Sequence, residues 1–274
     1  MGIQSVSVRD AFIDRVRKDN ELDGLRHRVQ SEGKVAKLWP SDIGGCIRKT
    51  ILRIHGVDET HPFDDYVLEL FDSGNVWERR IIRALGDAAI PGVLVGDDLW
   101  SGKIDAVVIE AGRPIVVEIK DTADYNFRAK DRLPYESHVL QAAVYARLLR
   151  AQTDMEALPS TILYYHGRCS FAEFDLRIGR TEISFVGEIN NRDRFGAVML
   201  SLEDEMGRME MVLDAYREQG DIPEQPYQSP FEERFACAKQ SSGLWWPACT
   251  YFGHCWEIEG GFPISEESNY RSRV

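Results

Sequence analysis

Apolar residues recur at loose helical spacing through residues 7 to 31 (Val8, Phe12, Val16, Leu22, Leu25, Val29), which predicts one or two helices with no visible chemistry. After Trp39-Pro40, the segment SDIGGCIRKTILRIHGV offers Ser41 or Asp42 as a cap, a stripe of Ile47, Ile51 and Ile54, and Cys46 in the first turn. FDSGNVWERRIIRALG predicts another helix with Trp77, Ile81 and Leu85 inward. The pattern then switches to strands, in VLVGDDLWSGKIDAVVIE and IVVEIKDT, joined by a turn at Ala111-Gly112-Arg113-Pro114. Residues 136 to 153 predict a helix, and TILYY with FAEFDLRI a second hairpin across HGRCS. Phe195, Val198, Met199, Leu202, Met206, Met209, Leu213 and Tyr216 fall at helical spacing and predict a long core helix. A break at Asp221-Ile222-Pro223 opens a loop with Pro226 and Pro230, followed by a Cys- and Trp-rich segment from Phe235 to Trp256 and a frayed tail.

A chain of 274 residues, 43% hydrophobic, is long enough for one sizeable core with an appended lobe. No apolar run approaches the ~20 residues that cross a bilayer, and the N-terminus lacks a signal-peptide core, so the expected setting is soluble and cytoplasmic, with no membrane partner. Five cysteines in a reducing compartment point to a metal before disulfides. The net charge of -12 argues against loose coating of duplex DNA. A narrow cleft remains open to phosphate, because cations gather at Arg48-Lys49-Arg53, Arg79-Arg80-Arg83 and Arg128-Lys130-Arg132, although each group also reads as a solvated helix face.

The strongest chemical signal is Asp105 on one expected strand and Glu118-Ile119-Lys120 on the next. Alternation sends Glu118 and Lys120 to one side while Val117 and Ile119 face the core. If the strands pair, Asp105 reaches the same side. Two carboxylates and an ammonium then stand together, suited to holding a hard cation that activates water against a phosphodiester. Glu-x-Lys alone is an ordinary exposed strand pattern. Gly74-x-x-x-Glu78 adds a third carboxylate on the inward side of a helix, where a lone charge needs a partner. His138, Gln141 and Tyr145 line one face of an otherwise apolar helix.

The order Gly-x-x-x-Glu, Gly-x-x-Asp (Gly102 to Asp105), Glu-x-Lys and Gln-x-x-x-Tyr resembles the RecB-like branch of the PD-(D/E)XK nucleases. The resemblance spans residues 39 to 256 and implies a restriction-endonuclease-like α/β core, a central mixed sheet flanked by helices. It also implies a metal site of Glu78, Asp105, Glu118 and the Ile119 carbonyl, for Mg²⁺ or Mn²⁺, with Lys120 as the catalytic lysine. Gln141 and Tyr145 match the branch's signature motif and, with His138, imply contacts to substrate. Relatives usually carry histidine where Glu78 stands. An all-oxygen site suits Mg²⁺ at least as well.

One cysteine upstream of this core (Cys46) and three downstream (Cys237, Cys249, Cys255) resemble the iron-sulfur exonucleases of the CRISPR-associated Cas-four type and the AddB subunit. That layout implies a [4Fe-4S] cluster and a helical lobe closed by the C-terminal segment. The spacing Cys249-x5-Cys255 matches the family. The family's further cysteine three residues before the pair is Trp246 here, and Cys237 lies eleven intervening residues upstream of Cys249. A three-cysteine cluster, a Zn²⁺ site or a lost cofactor therefore stay open. Cys169 reads as a free thiol, and His254 beside Cys255 is an alternative zinc ligand. Trp245, Trp246, Tyr251, Phe252 and Trp256 either stack on bases or pack the lobe.

The expected organisation is a helical extension over 1–38, a nuclease domain over 39–258 with its cysteine lobe (Cys46 plus 235–258), and a tail over 259–274. The expected function is a DNA exonuclease preferring single strands with free ends, in recombination, repair or CRISPR spacer acquisition. Expected partners are DNA and recombination, helicase or CRISPR adaptation proteins. Two competing readings are a nucleic-acid handover module with incidental cleavage and a zinc-stabilised phage exonuclease acting on duplex ends.

Overall fold

A computed structural model describes residues 37–61, 65–110, 112–122, 133–153, 160–166, 170–189, 192–224, 238–241, 244–247 and 249–256. The expected helices at 7 to 31, the basic group Arg128-Lys130-Arg132, Cys169, Cys237 and the tail lie outside the described residues. The chain divides into two compact units, one of Met1–Gly44 with Asp65–Leu213 and one of Gly45–Asp64 with Asp214–Val274. The helices are α1 (Ile47–His55), α2 (Asp65–Leu85), α3 (Glu136–Thr153), α4 (Leu202–Gln219) and α5 (Gly253–Trp256).

The first unit is α/β. Its seven-stranded mixed sheet runs in the order β1 (Ala89–Gly96), β2 (Ser101–Glu110), β3 (Arg113–Asp121), β4 (Ser160–His166), β5 (Ser170–Ile178), β6 (Ile183–Ile189), β7 (Asp193–Val198). Neighbours pair antiparallel except β3 and β4, which run parallel and are joined through α3. A parallel pairing needs such a crossover, and it leaves its strands covered on both faces. Val116, Val117, Glu118 and Ile119 are accordingly all buried. On one face Ala106, Val117, Ile119 and Tyr165 pack with Trp77, Ile81 and Ile82 of α2. In α3, Val139, Leu140 and every residue from Ala142 to Ala146 are buried, the pattern of a helix enclosed on nearly all sides. Each large apolar side chain so enclosed contributes about 1.5–3 kcal/mol relative to exposure.

The sheet corrects two expectations. Leu85 is exposed, because α2 ends there and turns into a short 3₁₀ segment at Gly86–Ala88. Phe195 and Val198 belong to β7, not to a long helix, and Phe195 and Met199 are each 75% exposed. Pairing decides this: Ile183 and Phe185 sit opposite Val198 and Gly196, so backbone bonding across β6 and β7 overrides an accidental helical spacing. The helix proper starts at Leu202, after the Ser201 hydroxyl accepts the Asp204 N–H at 3.2 Å. Met206, Met209 and Leu213 are buried core, as their spacing implied. Asp42 caps a 3₁₀ turn of this unit, accepting the Trp39 N–H at 2.8 Å, and does not cap α1.

In the second unit, α1 buries Ile47, Ile51 and Leu52, and Cys46 is its N-cap residue. The Thr60 hydroxyl accepts the Gly253 N–H at 2.8 Å, and His254 Nε2 is hydrogen-bonded to the Asp58 carbonyl at 2.8 Å. Tyr251 and Phe252 are buried, with the Phe252 ring edge-on to His61. A hairpin of β8 (Ala238–Ser241) and β9 (Leu244–Pro247) completes the described residues of this unit. Among the described residues no helix is long and apolar enough to cross a membrane.

Candidate active site

The ladder between β2 and β3 runs from Glu110↔Arg113 to Ala106↔Val117 and goes no further. At the next step a side chain takes over. Asp105 Oδ2 accepts the Ile119 N–H at 2.8 Å, standing where a strand carbonyl would. The Asp105 carboxyl is thereby fixed beside Glu118 and Lys120. Burial raises its pKa, and the Ile119 N–H, Lys120 and Lys103 pull the other way.

Glu118 is 1% exposed. Its Oε1 takes the Lys120 ammonium at 2.6 Å, while Oε2 is buried with no hydrogen-bond partner. Burial, ahead of the neighbouring charges, pushes its pKa up to about 7. Lys120 is less enclosed, and Glu118, Asp105 and Glu78 hold its pKa above the ordinary value although burial alone lowers it. Glu78, half-buried on α2, joins the same electrostatic cluster, its pKa raised by burial and then by Asp105.

The α3 face supports this pair. Gln141 Oε1 accepts from Lys120 Nζ at 3.1 Å. The Gln141 side chain and the Lys103 backbone both hydrogen-bond the Tyr145 hydroxyl, a phenol whose pKa burial raises. Tyr145 is close enough to β2 that a Cβ on Gly102 would lie 2.7 Å from its ring and 2.8 Å from Pro40. Only glycine fits there. Gly74 is different: a Cβ there would meet only Asp121 Cβ, at 4.0 Å.

His138 is tied to β4. The Tyr164 hydroxyl accepts the Tyr135 N–H at 3.0 Å and lies 2.8 Å from His138 Nδ1. Having accepted that N–H, the Tyr164 hydroxyl still has a lone pair and its own proton, so it can meet Nδ1 in either ring tautomer. Burial, with Lys120 nearby, lowers the His138 pKa to about 3, so the ring is neutral.

The structure therefore brings together Glu78, Asp105, Glu118, Lys120, His138, Gln141 and Tyr145, with Ile119 supplying a backbone amide to Asp105. No family model matches this chain, and no curated protein matches it. A crystal structure of SSO0001 superposes with a TM-score of 0.43 at 12% identity, over 78% of this chain and 88% of that one. A likeness that distant carries no functional argument.

Sequence reasoning missed Tyr164, Lys103 and the role of Gly102. Tyr164 stood in TILYY as one more apolar strand residue. A phenol amid aliphatics was its only sign, since a buried hydroxyl requires a partner.

In the second unit, Cys46, Cys249 and Cys255 are half-buried thiols. Burial raises the Cys249 pKa; Cys46 and Cys255 add to the rise, and Lys49 and the Tyr251 N–H oppose it. These three thiols thus lie within electrostatic reach of one another. His254 is engaged with the Asp58 carbonyl, and the Arg48 guanidinium with the carbonyls of Pro223 and His254. Arg48 is a local brace in this unit, which removes it from the cations offered to phosphate.

Proposed function

We propose that this chain is a metal-dependent DNA nuclease of the RecB-like PD-(D/E)XK type, hydrolysing phosphodiesters of single strands with free ends. The observation that carries the reading is the Glu118 carboxylate, enclosed in the sheet with one oxygen on Lys120 and the other on nothing. An unsatisfied buried carboxylate oxygen costs several kcal/mol unless a cation or a proton meets it. As folded, no three His, Cys, Asp or Glu side chains among the described residues stand at ligating spacing. In donor chemistry alone, the oxygens of Glu78, Asp105, Glu118 and the Ile119 carbonyl suit Mg²⁺ or Mn²⁺, and these groups would hold it.

A bound divalent cation supplies a Lewis acid and lowers the pKa of water. The remaining steps belong to the chain. Lys120, charged and held by Gln141, offers its ammonium to charge developing on a phosphate oxygen. Tyr145 holds Gln141, so the ammonium is fixed from two sides. His138, neutral and held by Tyr164, sets a polar ring near Lys120 without adding charge.

In the second unit the thiols of Cys46, Cys249 and Cys255, with Cys237 as the fourth, would hold a [4Fe-4S] cluster. Iron and acid-labile sulfide analysis of anaerobically purified protein tests that; a colourless protein with stoichiometric zinc rejects it. The nuclease reading is tested with Asp105→Asn and Lys120→Ala on labelled single strands in Mn²⁺. Each is expected to lower cleavage about 100-fold or more, and wild-type-like cutting by either removes the site. Cleavage of open strands but not end-blocked ones marks the exonuclease.

A further inference from the structure

A cleft of about 400 Å³ lies in the first unit between α2 and the β1–β2 hairpin. Arg79, Arg83 and Lys103 line it together with Glu78, and Ile82 and Pro91 give it an apolar wall. We infer that this cleft seats one nucleotide unit of a single strand next to the bond to be cut, with Arg79, Arg83 and Lys103 as its phosphate contacts. That the bond is cut at all rests on the nuclease reading above; the seating of the strand does not.

Four observations converge. Arg79 and Arg83 are one helical turn apart on α2, so their guanidinium groups share a face. All three cations are exposed and available to a ligand. Arg80, between them, is drawn aside over the Trp77 ring at 4.8 Å. Glu78 lines the cleft and also feels Asp105 and Lys120, so one carboxylate is shared by the cleft and the cluster.

Size selects the ligand. The volume falls among pockets of roughly 300–1,000 Å³ that take a single small-molecule unit, which matches one nucleotide. Charge selects it too. In a chain of net charge -12, three cations about one cleft make a local centre of attraction for phosphate. The apolar wall of Ile82 and Pro91 suits the sugar or base of that unit. Glu78 would repel the phosphate by itself, which is consistent with its assignment to the cation and not to the strand.

The test is fluorescence anisotropy with a fluorescein-labelled single strand of about twelve nucleotides, and with the matching duplex, in Ca²⁺ at salt from about 50 to 200 mM. Arg79→Ser/Arg83→Ser is expected to weaken single-strand binding about tenfold or more and to flatten the log affinity against log salt slope by roughly 1.4, at ~0.7 per lost phosphate contact. Lys103→Ser is expected to flatten it by about half as much. Arg177→Ser/Arg180→Ser, exposed and remote in sequence, is expected to bind as wild type. Melting curves confirm that each variant is folded. Unchanged affinity and slope in the double variant overturn the inference, as does a duplex bound as tightly as the single strand. If binding behaves as expected but Mn²⁺ yields no cleavage, the cleft stands and the nuclease reading falls. Cleavage with an unmoved salt slope has the opposite meaning: the nuclease reading stands and the cleft falls.

Discussion

Glu173 on β5, Glu188 on β6 and Asp193 on β7 stand directly opposite one another across adjacent strands, all exposed. Glu78, Asp105 and Glu118 come from one helix and two strands, and each is withdrawn further from water than the last. Both sets put three acids close together in the first unit. In the exposed row water screens the repulsion; even Glu173, raised by partial burial and then by Asp175, requires no bound partner. In the buried set, Glu118 has one oxygen on Lys120, and its Oε2 has no hydrogen-bond partner. The difference teaches that enclosure without a partner, not the number of acids, marks a carboxylate that a proton or a cation must meet.

The sharpest way to break this contrast is to neutralise one acid from each set. Glu118→Gln should reduce Mn²⁺-dependent cleavage about 100-fold or more, and Glu188→Gln should leave it unchanged; equal effects would erase the distinction. Next comes pH. Glu118 titrates near 7 in the fold against an ordinary 4.5, so its contribution to stability is full below about pH 4.5 and is lost as pH rises through 7. The loss amounts to about 3 kcal/mol. Urea midpoints in EDTA should therefore fall more for wild type than for Glu118→Gln between about pH 5 and pH 8. Parallel behaviour would show that the enclosed charge is met some other way. The smallest effect separates two motif glycines. Gly102→Ala should cost about 1–3 kcal/mol through its clash with Tyr145 and Pro40. Gly74→Ala, with open space in a helix, should gain about 0.5–1 kcal/mol. Thermal melts read both.

Much of the fold is legible in the residues because periodicity and burial agree. α3 is visible over its full span, residues 136 to 153, since its long apolar stretch from Val139 to Leu149 is broken by few polar positions. β2, β3 and the β4–β5 hairpin follow from alternation and turn residues. β6 and β7 do not, because Phe195, Val198 and Met199 happen to recur at helical intervals and only the partner strand shows which period applies. At the site, the alternation of Glu118 and Lys120 is readable, but the depth of Glu118 is not. That depth depends on β4 and α3, which the chain supplies well downstream of β3. Asp42 has the right chemistry for a cap and uses it one element early.

The bond from Ile119 to Asp105 also locks the frame of the sheet. Were β2 to slide by one residue, Ile104 or Ala106 would arrive opposite that N–H, and neither side chain can accept it. A slipped hairpin would strand a buried donor while separating the acids, so misalignment and loss of chemistry are a single event, and half-registered chains have no stable resting place.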